Sequence, residues 1–241
     1  LKTIFMVLAL LLIAANTNAG QKTSNVMTGA WNAAGTWLPS GAPGPTDTVT
    51  ITAGHTITIN VKDTVQELII NGTLQFEAAL GSLSLNVSGS TTINNGGSFL
   101  AVSPTSDKTV IHTLNITKNL TVNGTLSTYV TTTNATTGQL SVLMQGTGIS
   151  VISGNPITFE SGLSIDKAAN TDMVQLQTPV TMNSTLTVKK GVLNNSNNLT
   201  INDGKDVNYY FGATVSAKPT YAGKKNIYYY CFKIFYIKNN V

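Results

Sequence analysis

The chain has 241 residues, a formal charge of +4, 10% charged and 41% hydrophobic residues, and one cysteine, Cys231. That length supports a buried core in one elongated domain or two small ones, and a single cysteine excludes a disulfide scaffold. The charged fraction is far below the roughly 25% of ordinary soluble domains, yet disorder is excluded as well, because disordered chains are charge-rich and poor in Val and Ile. Thr, Asn and Ser fill the gap with about a third of the residues, and every basic residue is Lys.

Residues 1–19, LKTIFMVLALLLIAANTNA, carry one Lys, an apolar run from Ile4 to Ala15, and small or polar residues ending at Ala19. This is the layout of a secretory signal peptide cleaved after Ala19, and the run is too short for a membrane span, which needs about 20 apolar residues. The expected location is therefore secreted or cell-surface, with no stable membrane insertion.

From Trp31 to Val215 apolar residues recur at every second position and stop at Gly, Asn or Pro. Val49/Ile51, Ile57/Ile59/Val61, Leu83/Leu85/Val87, Val110/His112/Leu114/Ile116, Leu120/Val122, Leu186/Val188 and Leu199/Ile201 are examples. Period two with one apolar face predicts half-buried strands, and Thr at the outward positions suits a pleated surface. Asn-Gly at 71–72, 95–96 and 123–124 and Gly-Gly at 96–97 are expected to supply the positive φ of tight turns. The chain reads as all-β.

Self-similarity refines the class. LIINGTLQF (68–76), LTVNGTLST (120–128) and LTVKKGVLN (186–194) each pair two inward residues, a corner ending in Gly, and another apolar pair. LSLNVSGSTTINNGGSFL (83–100) and LTINDGKDV (199–207) vary the same unit. The pattern predicts a right-handed parallel β-helix, a β-solenoid whose coils stack and expose Thr, Asn and Ser in ladders. Antiparallel β-sandwiches are the alternative, since they also show short strands and turns. The expected body spans residues 20–223. Residues 224–241 break with it, holding Cys231, Tyr228, Tyr229, Tyr230, Tyr236 and four Lys. Frameshift or read-through of AT-rich DNA accounts for that composition, and a basic aromatic tail touching membrane or anionic polymer is the alternative.

Residues 35–76 contain Trp37, Pro43, Asp47, Val49, Ile51, Gly54, Ile57, Leu68, Ile70, Gly72, Leu74 and Phe76 in that order. This series resembles the opening of the G8-type β-helical module, here assigned to residues 31–103. Segments 182–204 and 212–229 resemble repeats of large exported β-helical surface proteins of Gram-negative bacteria that use the type IX secretion route. The resemblance implies a β-helical fold, export, and an adhesin-like fragment of a larger protein. It implies little about chemistry.

Candidate chemistry is sparse. Asp203 and Asp206, within NDGKD, are the only acids close in sequence beyond isolated positions. They read first as a turn and second as a weak Ca²⁺ loop, and no other cofactor is expected. Without Arg, and with only His55 and His112, no lyase cluster, nucleophilic triad or zinc site assembles, so the chain reads as a non-enzyme. His55 is expected in an exposed turn, and His112 shares the inward parity of Val110 and Leu114. Trp31 and Trp37 either stack on sugar rings as a glycan site or cap the open end of the solenoid. The function these features predict is structural or adhesive, with surface polysaccharide or matrix as partner, and the oligomeric state is not encoded in any visible motif. A carbohydrate-active β-helix enzyme or its binding module is the alternative, and an ice-binding solenoid a third. Setting aside Lys2, Lys224, Lys225, Lys233 and Lys238 leaves nine Lys against ten acids, about −1. The positive charge is thus no sign of a nucleic-acid partner.

Overall fold

A computed structural model describes residues 20–78, 80–102, 109–133 and 137–230, together with the backbone of 238–240. The expected signal peptide (1–19) and residues 231–237 and 241 of the expected tail lie outside the described residues. Among the described residues the only helical element is a single 3₁₀ turn, Ala34–Thr36, and no helix is long and apolar enough to cross a membrane.

The strands run in sequence over three faces and then begin again, which builds a parallel β-helix. The first face stacks Gln21–Ser24, Thr48–Ile51, Glu67–Ile70, Thr91–Ile93, Leu120–Val122, Ile149–Gly154, Met173–Leu176, Val192–Asn194 and Thr214–Val215, every neighbour parallel. The third face runs from Asp63–Val65 through Ser84–Val87, Val110–Ile116, Thr137–Gly146, Leu163–Lys167, Leu186–Lys190 and Asp206–Tyr210 to Asn226–Tyr230, again parallel. Antiparallel pairing among the described strands is confined to Trp37–Leu38 over the first strand, Tyr129–Thr131 beside Thr137–Gly146, and Lys238–Asn240 on Asn226–Tyr230. This is the solenoid and not the sandwich. The strand Asn226–Tyr230 extends the third face beyond residue 223 into the Lys/Tyr/Phe segment.

The second face is split. Thr28–Ala30, Thr56–Ile59, Thr73–Phe76, Ser98–Leu100 and Thr125–Ser127 form one sheet; Ile157–Phe159, Val180–Met182, Leu199–Asn202 and Thr220–Ala222 form another. Pro156 lies at the break and has no N–H to give to a ladder. The buried Thr128 bridges it instead, its Oγ1 accepting the Glu160 N–H at 2.9 Å.

Alternation places one side chain of each outward–inward pair in the bore. Val49, Ile51, Ile57, Ile59, Leu68, Ile70, Leu85 and Leu114 are fully buried in one continuous core, each contributing roughly 1.5–3 kcal/mol of transfer free energy. Val61 departs from the expected inward set at 37% exposed, because the strand ends at Ile59 and the chain turns. Of the three repeats, LIINGTLQF and LTVNGTLST both cross from the first to the second face, but LTVKKGVLN crosses from the third to the first. The strand–corner–strand unit therefore serves more than one corner.

The corner glycines also correct the expectation. Gly96 has φ +81°, as a tight turn requires. At Gly72, Gly97 and Gly124 the constraint is stacking: a Cβ would lie 2.2 Å from the carbonyl oxygen of Thr52, Ile70 and Gly97 respectively. Successive coils touch backbone to backbone at this corner.

Candidate functional site

Coil stacking turns outward Thr, Ser and Asn into columns spaced at about 4.8 Å, the distance between hydrogen-bonded strands. On the second face Thr28, Thr56, Thr73, Ser98 and Thr125 fall in register over five coils. Past the break, Thr158, Thr181, Thr200 and Thr220 repeat the arrangement over four more. The first face carries Thr23, Thr50, Ile69, Thr92, Thr121 and Ser153, and the Thr121 and Ser153 hydroxyls lie 3.2 Å apart.

Amide ladders flank these rows. Asn115 donates from Nδ2 to Asn86 Oδ1 at 2.6 Å, and Asn86 donates to Thr64 Oγ1 at 3.2 Å. Leu143 occupies the next position in that column and offers no donor, so the buried Asn115 Oδ1 has no partner. Asn94 donates to Asn71 at 2.8 Å, Asn60 to Asn32 at 2.8 Å, and Asn183 to Glu160 at 2.7 Å, with Asn202 donating in turn to Asn183. Each donating amide of these ladders spends one hydrogen on its neighbour and keeps a second N–H.

The residues expected to hold a ligand are placed otherwise. Trp31 and Trp37, proposed for glycan stacking, are 0% and 2% exposed, so neither ring offers a face to a sugar. They meet edge to face at 5.2 Å; Trp31 Nε1 donates to Asp63 Oδ2 at 2.5 Å and Trp37 Nε1 to the Trp31 carbonyl at 2.7 Å. This is a plug at the N-terminal end of the bore. Asp203 and Asp206, the Ca²⁺ candidates, are drawn into coil-to-coil contacts. Asp203 Oδ1 accepts the Lys224 N–H at 2.6 Å, and Asp206 Oδ1 accepts from Asn226 Nδ2 at 3.1 Å. Among the described residues no group of three or more His, Cys, Asp or Glu could hold a metal. His55 occupies its turn with Nδ1 2.9 Å from Ser24 Oγ.

His112 is fully buried, as its parity predicts, stacked on Phe76 at 4.6 Å and 5°. Its Nδ1 accepts the Leu83 N–H at 3.0 Å, which assigns the proton to Nε2, a buried atom with no partner. Burial lowers its pKa to about 4. Lys167 belongs to no motif, and its only sequence signal is that it follows Leu163 and Ile165 at the inward period. It is 1% exposed, and Nζ donates to the Gln145 carbonyl and Ser150 Oγ, both at 2.8 Å. Desolvation lowers its pKa against the opposing pull of Asp172. Both groups sit inside packed coils and act on the fold.

Residues 36–163 match the G8 domain family, a longer stretch than the opening segment 31–103. No curated protein and no solved structure matches the chain.

Proposed function

The chain belongs to the G8 domain family, and from that premise we propose that it is an exported, non-enzymatic β-solenoid of a bacterial surface protein whose faces bind polysaccharide or matrix. The observation that carries this reading is the run of in-register hydroxyls on the second face, Thr28 to Thr125 and Thr158 to Thr220. Each hydroxyl can exchange about 0.5–1.5 kcal/mol with a ligand hydroxyl. A row of them on a stiff scaffold gains affinity through multivalency and needs no deep pocket. The near-neutral body suits neutral hydrogen-bonded contact better than charge attraction, and the resemblance of 182–204 and 212–229 to repeats of exported surface proteins supports the surface role. Incubating the full chain with immobilised bacterial surface polysaccharides tests the reading. Saturable binding to polymer that weakens as the polymer is shortened is the expected outcome, whereas sugar release with time overturns the non-enzymatic part and no retention overturns the adhesive part.

A further inference from the structure

The bore is lined by aliphatic side chains through most of its length and changes character at its C-terminal end. Val207 is the last fully buried member of the hydrophobic core there; beyond it Ile227, Tyr209 and Tyr229 hold the inward parity of the third face, and the two tyrosines stack at 5.4 Å and 24°. Tyr210 and Tyr230, one position further on, form a second stack at 4.7 Å and 19°. Gly212, at φ +82°, turns the chain from the third face to the first and leaves Phe211 projecting at 73% exposed. These five rings and Tyr221 line a cavity of about 520 Å³, within the range of small-ligand sites.

The charged groups of this mouth have one sign. Lys218 and Lys225 line it, and among the described lining residues there is no Asp or Glu. Lys225 Nζ is held 5.0 Å from the Tyr221 ring centroid, a cation–π contact that orients the ammonium without neutralising it. Tyr209 and Tyr221 share a side-chain hydrogen bond, and burial pushes both phenols above their ordinary pKa, so they remain neutral hydrogen-bonding groups.

We propose that this mouth is a binding site for a sugar ring bearing an anionic substituent, carboxylate or sulfate. Aromatic faces offer C–H stacking to the ring, phenols pair with its hydroxyls, and the two ammoniums receive the charge. The site lies outside residues 36–163 and differs from the hydroxyl rows in kind, since it is one aromatic, cationic pocket. The proposal rests on the glycan-binding reading above and assigns it a second, charge-selective element.

The test is calorimetric titration of the full chain with three probes: hexagalacturonate, a sulfated dextran hexamer and neutral cellohexaose. One-site binding of at least one anionic probe is expected, weakening with salt and exceeding that of cellohexaose by about tenfold or more. The two anionic arms decide between carboxylate and sulfate. Phe211→Ala and Lys225→Gln change partly exposed side chains, and thermal melting checks that each variant still folds. Each is expected to lower anionic affinity about tenfold, and Lys225→Gln to leave cellohexaose binding unchanged. Anionic binding that is undiminished in both folded variants overturns the proposal and leaves the adhesive reading intact. No hexasaccharide binding also overturns it, while the adhesive reading is then judged separately by polymer retention. Hexamer binding at the mouth without polymer retention sustains the proposal and sinks the adhesive reading.

Discussion

Acidification should weaken this fold through one residue. His112 Nδ1 accepts the Leu83 N–H, so protonating the ring would set two N–H donors against each other in a buried site against Phe76. The folded state therefore holds His112 neutral down to about pH 4, against an ordinary value of 6.5. The stability this provides is fully present above pH 6.5, is lost as pH falls from 6.5 to 4, and changes no further below 4. About 2.5 pH units at about 1.4 kcal/mol each give an upper value of roughly 3–4 kcal/mol. Roughly 2 kcal/mol of that falls between pH 7 and pH 4.5. Urea unfolding of the native chain and of His112→Phe at both pH values isolates the contribution. The variant is expected to lose about 1–3 kcal/mol at pH 7, because the Leu83 N–H is left without a partner, and to show a pH difference smaller by roughly 2 kcal/mol. Equal pH dependence in the two proteins would refute the reasoning, since it would place the acid sensitivity elsewhere.

Further outcomes follow from the same packing. Gly97→Ala puts a methyl 2.2 Å from the Ile70 carbonyl, and a backbone neighbour cannot swing away, so a loss of at least about 1–3 kcal/mol is expected in a melting experiment. An unchanged melting temperature would contradict the stacked corner. Lys167, with Nζ enclosed by Gln145 and Ser150, should escape acetylation by an amine-reactive ester in the native chain and react once unfolded; rapid native labelling, read by peptide mass spectrometry, would contradict its burial. Trp31 and Trp37 should show blue-shifted emission and weak acrylamide quenching, unaltered by saccharides, whereas efficient quenching would reopen a glycan-stacking role.

The sequence carried much of this architecture in its period-two alternation: Leu114 and His112 share a parity, and both are buried. Turn glycines were recognisable as corners, yet the reason for them was not, because the atom Gly97 avoids belongs to Ile70, 27 residues earlier in the chain. Ladders of Thr, Ser and Asn are expected of stacked coils, but uneven coil length hides which residues share a row. Thr28 and Thr56 are adjacent rungs 28 residues apart, and Thr56 and Thr73 are adjacent rungs only 17 apart, so no fixed period reveals them. The Trp pair shows the limit of composition: an indole at the start of a solenoid suits a sugar platform or a plug, and the burial of both rings decides for the plug, with the Asp63 and Trp31 hydrogen bonds holding them there. The tyrosine-lined mouth straddles residue 223, where composition alone draws a boundary, and it takes shape only when Asn226–Tyr230 pairs with Asp206–Tyr210.

The central claim is that polymer binding is shared among in-register hydroxyls, and a graded substitution series addresses it directly. Thr181→Val, then Thr181→Val with Thr200→Val, then both with Thr158→Val, removes one hydroxyl per step while keeping a β-branched side chain on the sheet. Affinity for a retained surface polysaccharide should fall stepwise by about two- to tenfold with each hydroxyl lost. An affinity unchanged across all three folded variants, or abolished by one substitution with no further loss, would contradict it.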